Sequence, residues 1–484
     1  MGVKKNILYT SFLTLSNYIF GLITFPYIAR TLGVNNMGIV EFTNNIVAYF
    51  LLFASLGINT LGIREIAKVK NDTNELNKCF SSLLFINIFY TLISLCIYFI
   101  LIFVVDKFLE YKILFLIGSF QIISTTFMVE WLFKGLENFK YIAFRNFAIK
   151  IIYIVLVFCL IRESEDYVLY FLLTVGSVIV NAVVNILYSK RFVFFSLKMV
   201  SLKFYLKSTL FLGLYSLLTS MYTTFNVAFL GFVSTSTEVG YYATALKVYI
   251  IIMGLYTAFT TVMMPRGSAL LAEGKRNEFN LLIKKSFETL YTLCFPLIIF
   301  CTILSPQIIN LLAGENFSGS ILPMRTVMPL LLVVGVAQIL VLQVIIPARK
   351  DLWTLWASAL GAVIGIILNI VLVPIWHSEG TSISLVFTEI SVTILYVFFV
   401  YKSKLIVFDW KNGVKHLLFS LPYIIFCLSF SKLENSYFVL LLSGVTCGIY
   451  FFVSQLYIIK NELLWGVLKS LNINRKYGCY GNHN

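Results

Sequence analysis

Runs of about 20 apolar residues, each long enough to cross a bilayer's hydrocarbon core as a helix, recur from one end of this chain to the other. In lipid, no water satisfies backbone N–H and C=O groups, so such runs fold only as helices or closed barrels. The runs here are unbroken, and 16% of the residues are aromatic. A barrel needs strict alternation instead. Charged residues make up 12% of the chain, half of the roughly 25% that a soluble protein carries. They are too few to cover a soluble surface. Hydrophobic residues are 59% of 484, enough for about fourteen spans. The runs place these near 7–29, 38–61, 79–103, 111–133, 142–161, 167–188, 205–232, 241–264, 286–312, 322–346, 352–374, 380–401, 415–430 and 437–458. The sequence therefore predicts an all-α polytopic membrane protein with short loops. The first run is too long for a signal-peptide core and has no small-residue cleavage site, so it is read as a retained span. The eight cysteines show no CxxC or Cys/His ligand spacing and are read as reduced packing residues.

The formal charge of +15 is a matter of topology. With the N-terminus inside, 28 of the 37 Lys and Arg fall in the inner connections and tails, six fall outside and three lie within spans. That bias follows the positive-inside rule. It places both termini in the cytoplasm, accounts for attraction to anionic membrane lipids, and requires no nucleic acid partner.

An internal repeat is also visible. Gly38 opens span two and Arg64 lies 26 residues on, at its inner end; Gly240 and Arg266 of span eight repeat the spacing. The offset of 202 residues joins spans of equal direction. This predicts two pseudo-symmetric six-helix lobes around a central cavity, a common transporter plan. The expected division is 1–200 and 201–405, with 406–484 as two further helices and a cytoplasmic tail.

Polar residues inside spans face protein or a wet cavity. Stripes at helical spacing occur in span one (Thr14, Asn17, Thr24), span two (Asn44, Asn45), span six (Thr174, Ser177, Asn181, Asn185) and span seven (Ser216, Thr219, Thr223, Asn226). One stripe alone reads as helix packing; the set together reads as a hydrated cavity. A charge at the bilayer centre is costly, by roughly 2.5–3.5 kcal/mol on insertion scales. Lys150 in span five and Lys247 in span eight are therefore candidate cavity residues, with snorkelling to an interface as the alternative. Arg64, Arg145 and Arg266 sit near inner helix ends, where anchoring and substrate binding both remain open. Arg30 stands at the outer end of span one, one turn after Pro26. Glu130 and Lys134, at i and i+4, are expected to pair. Glu41 and Glu389 have no cation beside them in sequence. Each is a candidate proton or sodium site, with a neutral hydrogen-bonded acid as the alternative reading.

No Walker A motif, HExxH motif or Ser/His/Asp set is present, and the three histidines are far apart. No metal, nucleotide or other cofactor is expected, and no enzymatic activity.

Four stretches carry a family resemblance. Residues 25–68, FPYIARTLGVNNMGIVEFTNNIVAYFLLFASLGINTLGIREIAK, and 130–144, EWLFKGLENFKYIAF, resemble the Wzx-type polysaccharide-unit flippases, as do 239–248, VGYYATALKV, and 369–389. That family sits in a superfamily with MATE exporters and lipid II flippases. The resemblance implies two six-helix lobes around a cavity, often with two extra helices, in a bacterial inner membrane. It implies a cargo of undecaprenyl-pyrophosphate-linked glycan moved from the inner to the outer leaflet, and possible association with polysaccharide polymerase machinery. It also implies functional arginines on helices one, two and eight, where Arg30, Arg64 and Arg266 fall. Two other classes stay open: a MATE-type small-molecule antiporter, which favours acidic cavity residues, and a polymerase or ligase acting on the same lipid, which favours a large outer loop.

Overall fold

The computed structural model describes residues 3–406, 410–433 and 435–458. Every regular element among them is helical. In the first half these are α1 (Val3–Ser55), α2 (Ile58–Val69), α3 (Thr73–Val104), α4 (Asp106–Glu110), α5 (Lys112–Phe127), α6 (Glu130–Gly135), α7 (Phe139–Leu160) and α8 (Tyr167–Ser189). In the second half they are α9 (Leu202–Thr223), α10 (Phe225–Val233), α11 (Ser236–Ala272), α12 (Arg276–Ile303), α13 (Ser305–Leu312), α14 (Ile321–Val327), α15 (Leu330–Gln338) and α16 (Leu352–Lys402). The last three are α17 (Trp410–Ser420), α18 (Pro422–Phe430) and α19 (Ser436–Val453).

Among the described residues, nine helices are long and apolar enough to cross a membrane, or ten if the pair bent by 47° at residues 327–330 is one span. The chain is a multi-pass membrane protein. The expected count of fourteen is not reached among these, in part because α1 and α16 each join two of the apolar runs and because α9 and α11 are not among the nine. The 53 residues of α1 would measure roughly 80 Å if straight, against a hydrocarbon core of about 30 Å. Instead of the expected loop before residue 38, one residue breaks the helix: Gly33, at φ 74° and ψ 169°. Likewise α16 runs for 51 residues with its break at His377, φ 45°. The Glu238 carboxylate accepts the Ser378 N–H (3.1 Å) and the Ser378 hydroxyl just past that break. The expected fourth span is divided at Val129, φ 36°, into α5 and α6. The tenth leaves α15 as a π-helix over Ile339–Ile345.

Two bundles meet along α1 and α11, whose mutual packing is the most extensive in the molecule. On one side α3, α5, α7 and α8 gather about α1; on the other α12, α14, α15 and α16 gather about α11. Helices α17 and α18 lie against α12, and α19 against α13, at the edge of the second bundle.

The repeat has a geometric counterpart. A Cβ built on Gly38 would stand 1.7 Å from the Ser236 carbonyl oxygen and 2.9 Å from the Gly240 nitrogen. One built on Gly240 would stand 2.2 Å from the Val34 carbonyl oxygen. Val34 and Ser236 are repeat partners, as are Gly38 and Gly240. Asn35 and Thr237, also partners, meet at 3.5 Å between Oδ1 and Oγ1. Equivalent residues touch each other here, so the local two-fold axis of the repeat passes between them. Only glycine allows backbones to come this close.

The crossing can be tested by cross-linking. In the Asn35→Cys/Thr237→Cys variant, oxidation should form a disulfide between the two halves, seen as a linked peptide by mass spectrometry and lost on reduction. Gly38→Val or Gly240→Val should reduce that linkage by forcing the helices apart; unchanged yield in both would contradict the crossing.

Candidate functional site

Just along the helices from the glycine crossing, four helices bring polar groups together between the bundles. From α11, Lys247 extends its Nζ to 3.3 Å from Glu41 Oε1 on α1 and lies over the Phe25 ring, 5.8 Å from its centroid. From α7, Lys150 lies over the Tyr153 ring at 5.1 Å. The Tyr153 hydroxyl is 3.2 Å from Thr174 Oγ1 on α8. Tyr170, one turn before Thr174, contacts Tyr153 and lies within electrostatic reach of Glu41. The two lysines are close enough to repel each other. Both lysines and Glu41 are half-buried, so they remain reachable. The cluster holds two cations, one carboxylate and hydroxyl-bearing rings. That suits an anion with polyhydroxyl groups attached: ammonium groups attract phosphate as point charges, and aromatic faces with hydroxyl tips stack on and bond to sugars.

Lys150 and Lys247 thus lie within electrostatic range of each other. Glu41, which has no cation beside it in sequence, receives one from the other half of the chain. Glu389 lies elsewhere: it is near Tyr242 and Tyr249 of α11 and makes no hydrogen bond or ion pair among the described residues. Tyr170 and Phe25 are cluster members that the stripes overlooked. Extending the span-six stripe back one turn from Thr174 reaches Tyr170; nothing local marks Phe25.

The arginines separate into four places. Arg145 is buried, with its side chain 4% exposed. It donates to Glu130 Oε1 (2.6 Å), to Asn146 Oδ1 (2.6 Å) and to Asn185 Oδ1. Glu130 also takes the expected pair with Lys134 at 3.2 Å. Asn185 in turn donates to the Met128 carbonyl, so this network pins the break at Val129. Arg64 is exposed on α2 and paired with Glu65 at 2.9 Å. Arg30 reaches the other bundle, donating to the carbonyls of Leu311 (2.6 Å) and Asn310 (3.3 Å) at the C-terminal end of α13, where cations are favoured. Arg266 lines a cleft between α11 and α12. Of the stripes, Ser177 and Asn181 bond backward to their own helix, as packing residues do. The side chains of Thr14, Ser216, Thr219 and Thr223 lie outside the described ones.

Known proteins share this architecture. The family model described as "Polysaccharide biosynthesis protein" matches residues 3–271. A relative from Escherichia coli (strain K12), named "Putative O-antigen transporter", is 23% identical over 414 residues, 84% of this chain and 99% of the relative. Among solved structures, a lipid II flippase MurJ in an inward closed conformation superposes with a TM-score of 0.76 at 16% identity, covering 95% of this chain and all of that one. An inward-facing multidrug-resistance MATE transporter gives 0.56 at 14% identity, covering 83% and 95%. At these identities the likeness to solved structures establishes the fold.

The Arg145 network yields a stability prediction. Arg145→Ala leaves Glu130 and Asn185 without their shared donor and should destabilise by about 3 kcal/mol, since removing one partner of a buried pair is costly. A lower Tm for the detergent-solubilised protein would show it. Adding Glu130→Gln to Arg145→Ala should recover part of the loss, and a strictly additive double variant would contradict the coupling.

Proposed function

Because the chain belongs to the polysaccharide biosynthesis protein family, we propose that it is a flippase carrying an undecaprenyl-pyrophosphate-linked oligosaccharide from the cytoplasmic to the outer leaflet of the bacterial inner membrane. The observation that carries this reading is the Lys247–Glu41 pair across the two halves, with Lys150 within electrostatic range and tyrosines beside it. The O-antigen naming of the relative supports the cargo class.

In this reading both termini are cytoplasmic, and residues 1–200 and 201–405 are the lobes that rock against each other, with 406–484 attached to the second. The diphosphate enters from the inner face, where Arg64 and Arg266 are the first cations it meets. It then displaces Glu41 from Lys247 and is held by both lysines. Tyr153 and Tyr170 face the sugars, and the prenyl tail stays in lipid between the lobes. Release requires the contacts at Gly38/Gly240 and Arg30/α13 to part. The role of Arg30 is then to hold the outer end closed, and that of Arg145 to keep the α5–α6 break in shape. Glu41, freed from Lys247, or Glu389 takes up a proton or sodium ion during the return step. Polymerase machinery receives the cargo at the outer face.

A MATE-type antiporter for cationic compounds fits less well, because the cluster carries one net positive charge. A polymerase or ligase fits less well because the expected outer connections are short.

Complementation of a flippase-deficient strain tests the reading. Lys150→Ala and Lys247→Ala should each reduce surface polysaccharide at normal protein level by about tenfold or more, as expected for losing one charge-assisted contact. The double variant should abolish it while lipid-linked precursor accumulates inside. Wild-type polysaccharide from the double variant would remove the cluster from the transport route.

A further inference from the structure

A second polar recess lies away from the lysine cluster. Between α11 and α12 is an open cleft of about 260 Å³. Its walls are apolar, with Phe259, Met263 and Leu281 prominent, and three charged groups line it: Arg266, Lys285 and Glu278. Further cations lie close to the cleft in sequence: Lys275, Arg276 and Lys284. Ser286 stands at its wall and donates to Gln343 Oε1 at 2.7 Å. Gln343 belongs to the π-helix Ile339–Ile345 and is fully buried, and its amide nitrogen finds no acceptor among the described residues.

We propose that this cleft binds the head group of an anionic phospholipid of the surrounding bilayer. Three features select that chemistry. A water-soluble anion gains nothing from a wall of aromatic and aliphatic side chains, whereas a lipid's glycerol and first methylenes do. Basic recesses between spans at the cytoplasmic side are where anionic lipid head groups settle. The charge balance is two cations against one carboxylate. That leaves one net positive charge, which matches a phosphodiester and is a poor match for the dianionic diphosphate of a prenyl-linked cargo. Arg266 supplies a planar two-pronged donor to the phosphate and Lys285 a point charge; Glu278 keeps a second negative charge out. Through Ser286 the occupied wall bears directly on the π-helix, a distortion that recurs at functional sites. This seat shares Arg266 with the entry step of the transport reading, but its occupant is a bilayer phospholipid and it does not depend on what the lysine cluster carries.

Native mass spectrometry of the purified full-length protein provides the test, with phosphatidylglycerol, phosphatidylethanolamine or a prenyl diphosphate added. The wild type should retain phosphatidylglycerol in preference to phosphatidylethanolamine. Arg266→Gln/Lys285→Gln should weaken that retention about tenfold, equivalent to roughly 1.4 kcal/mol. Leu281→Trp, which fills the apolar wall and keeps every charge, should weaken it as well. Lys285→Arg should retain the lipid, so the test stands even if the double glutamine variant fails to fold. Glu278→Gln should admit the prenyl diphosphate. Lys150→Ala/Lys247→Ala should leave phosphatidylglycerol retention unchanged, which separates this site from the lysine cluster. Equal retention of the two phospholipids by the wild type would overturn the proposal. So would full retention by the double glutamine and Leu281→Trp variants. Displacement by inorganic phosphate with no effect of Leu281→Trp would identify a soluble-anion site instead.

Discussion

The backbone contact at Gly38 and Gly240 is the constraint from which the rest of the architecture follows. Two helices, one from each half, touch at a point where neither has a side chain. In a bilayer, helices gain little from burying apolar surface against one another, because lipid tails are equally apolar; small residues at a crossing supply close packing instead. Since the touching residues are repeat partners, the crossing also fixes where the symmetry axis runs. Groups within about two turns of the glycines along α1 and α11 are then brought near each other across that axis. Glu41 and Lys247 do so.

Charge inside a membrane protein needs a partner or water, and this chain uses both solutions. Arg145 takes the first: it is fully enclosed and bonded to a carboxylate and two amides. An enclosed pair of this kind contributes shape more than stability, because desolvation cancels most of the attraction. It holds a break in a helix that would otherwise continue. Lys247 and Glu41 take the second solution. Each keeps roughly a third of its side chain exposed, 39% and 27%, so their bond is weaker and exchangeable. An arginine locked in its network cannot also serve a moving ligand; a half-exposed lysine held by one carboxylate can.

Much of this was legible in the sequence, and the parts that were not share one physical cause. The helical class, the repeat-related glycines and the Glu130–Lys134 pair are all local or periodic properties, set by the helical repeat. The breaks at Gly33 and His377 fall between the apolar runs 7–29 and 38–61, and 352–374 and 380–401, so their positions were legible; that a single residue at positive φ makes each, with helix continuing on both sides, was not. The partners of Arg30 lie 280 and 281 residues away, and Lys247 lies 206 residues from Glu41. Pairings of that kind depend on how the halves dock. A charge pattern along one helix does not report them, so Arg145, enclosed in its network, carried the same sequence signal as the half-exposed lysines.

The separation of the arginines from the lysine pair has a mechanical consequence. A carrier that held its anion with several guanidinium groups at once would form multiple bidentate bonds, and release would become slow. The cations facing the axis here are ammonium groups, which bind phosphate without a fixed geometry. Arginine is used where geometry must hold: at the α5–α6 break and at the end of α13. In the proposed reading the molecule thus assigns its rigid cation to joints and latches and its adaptable cation to the path between the halves, with the carboxylate of Glu41 balancing that path when it is empty.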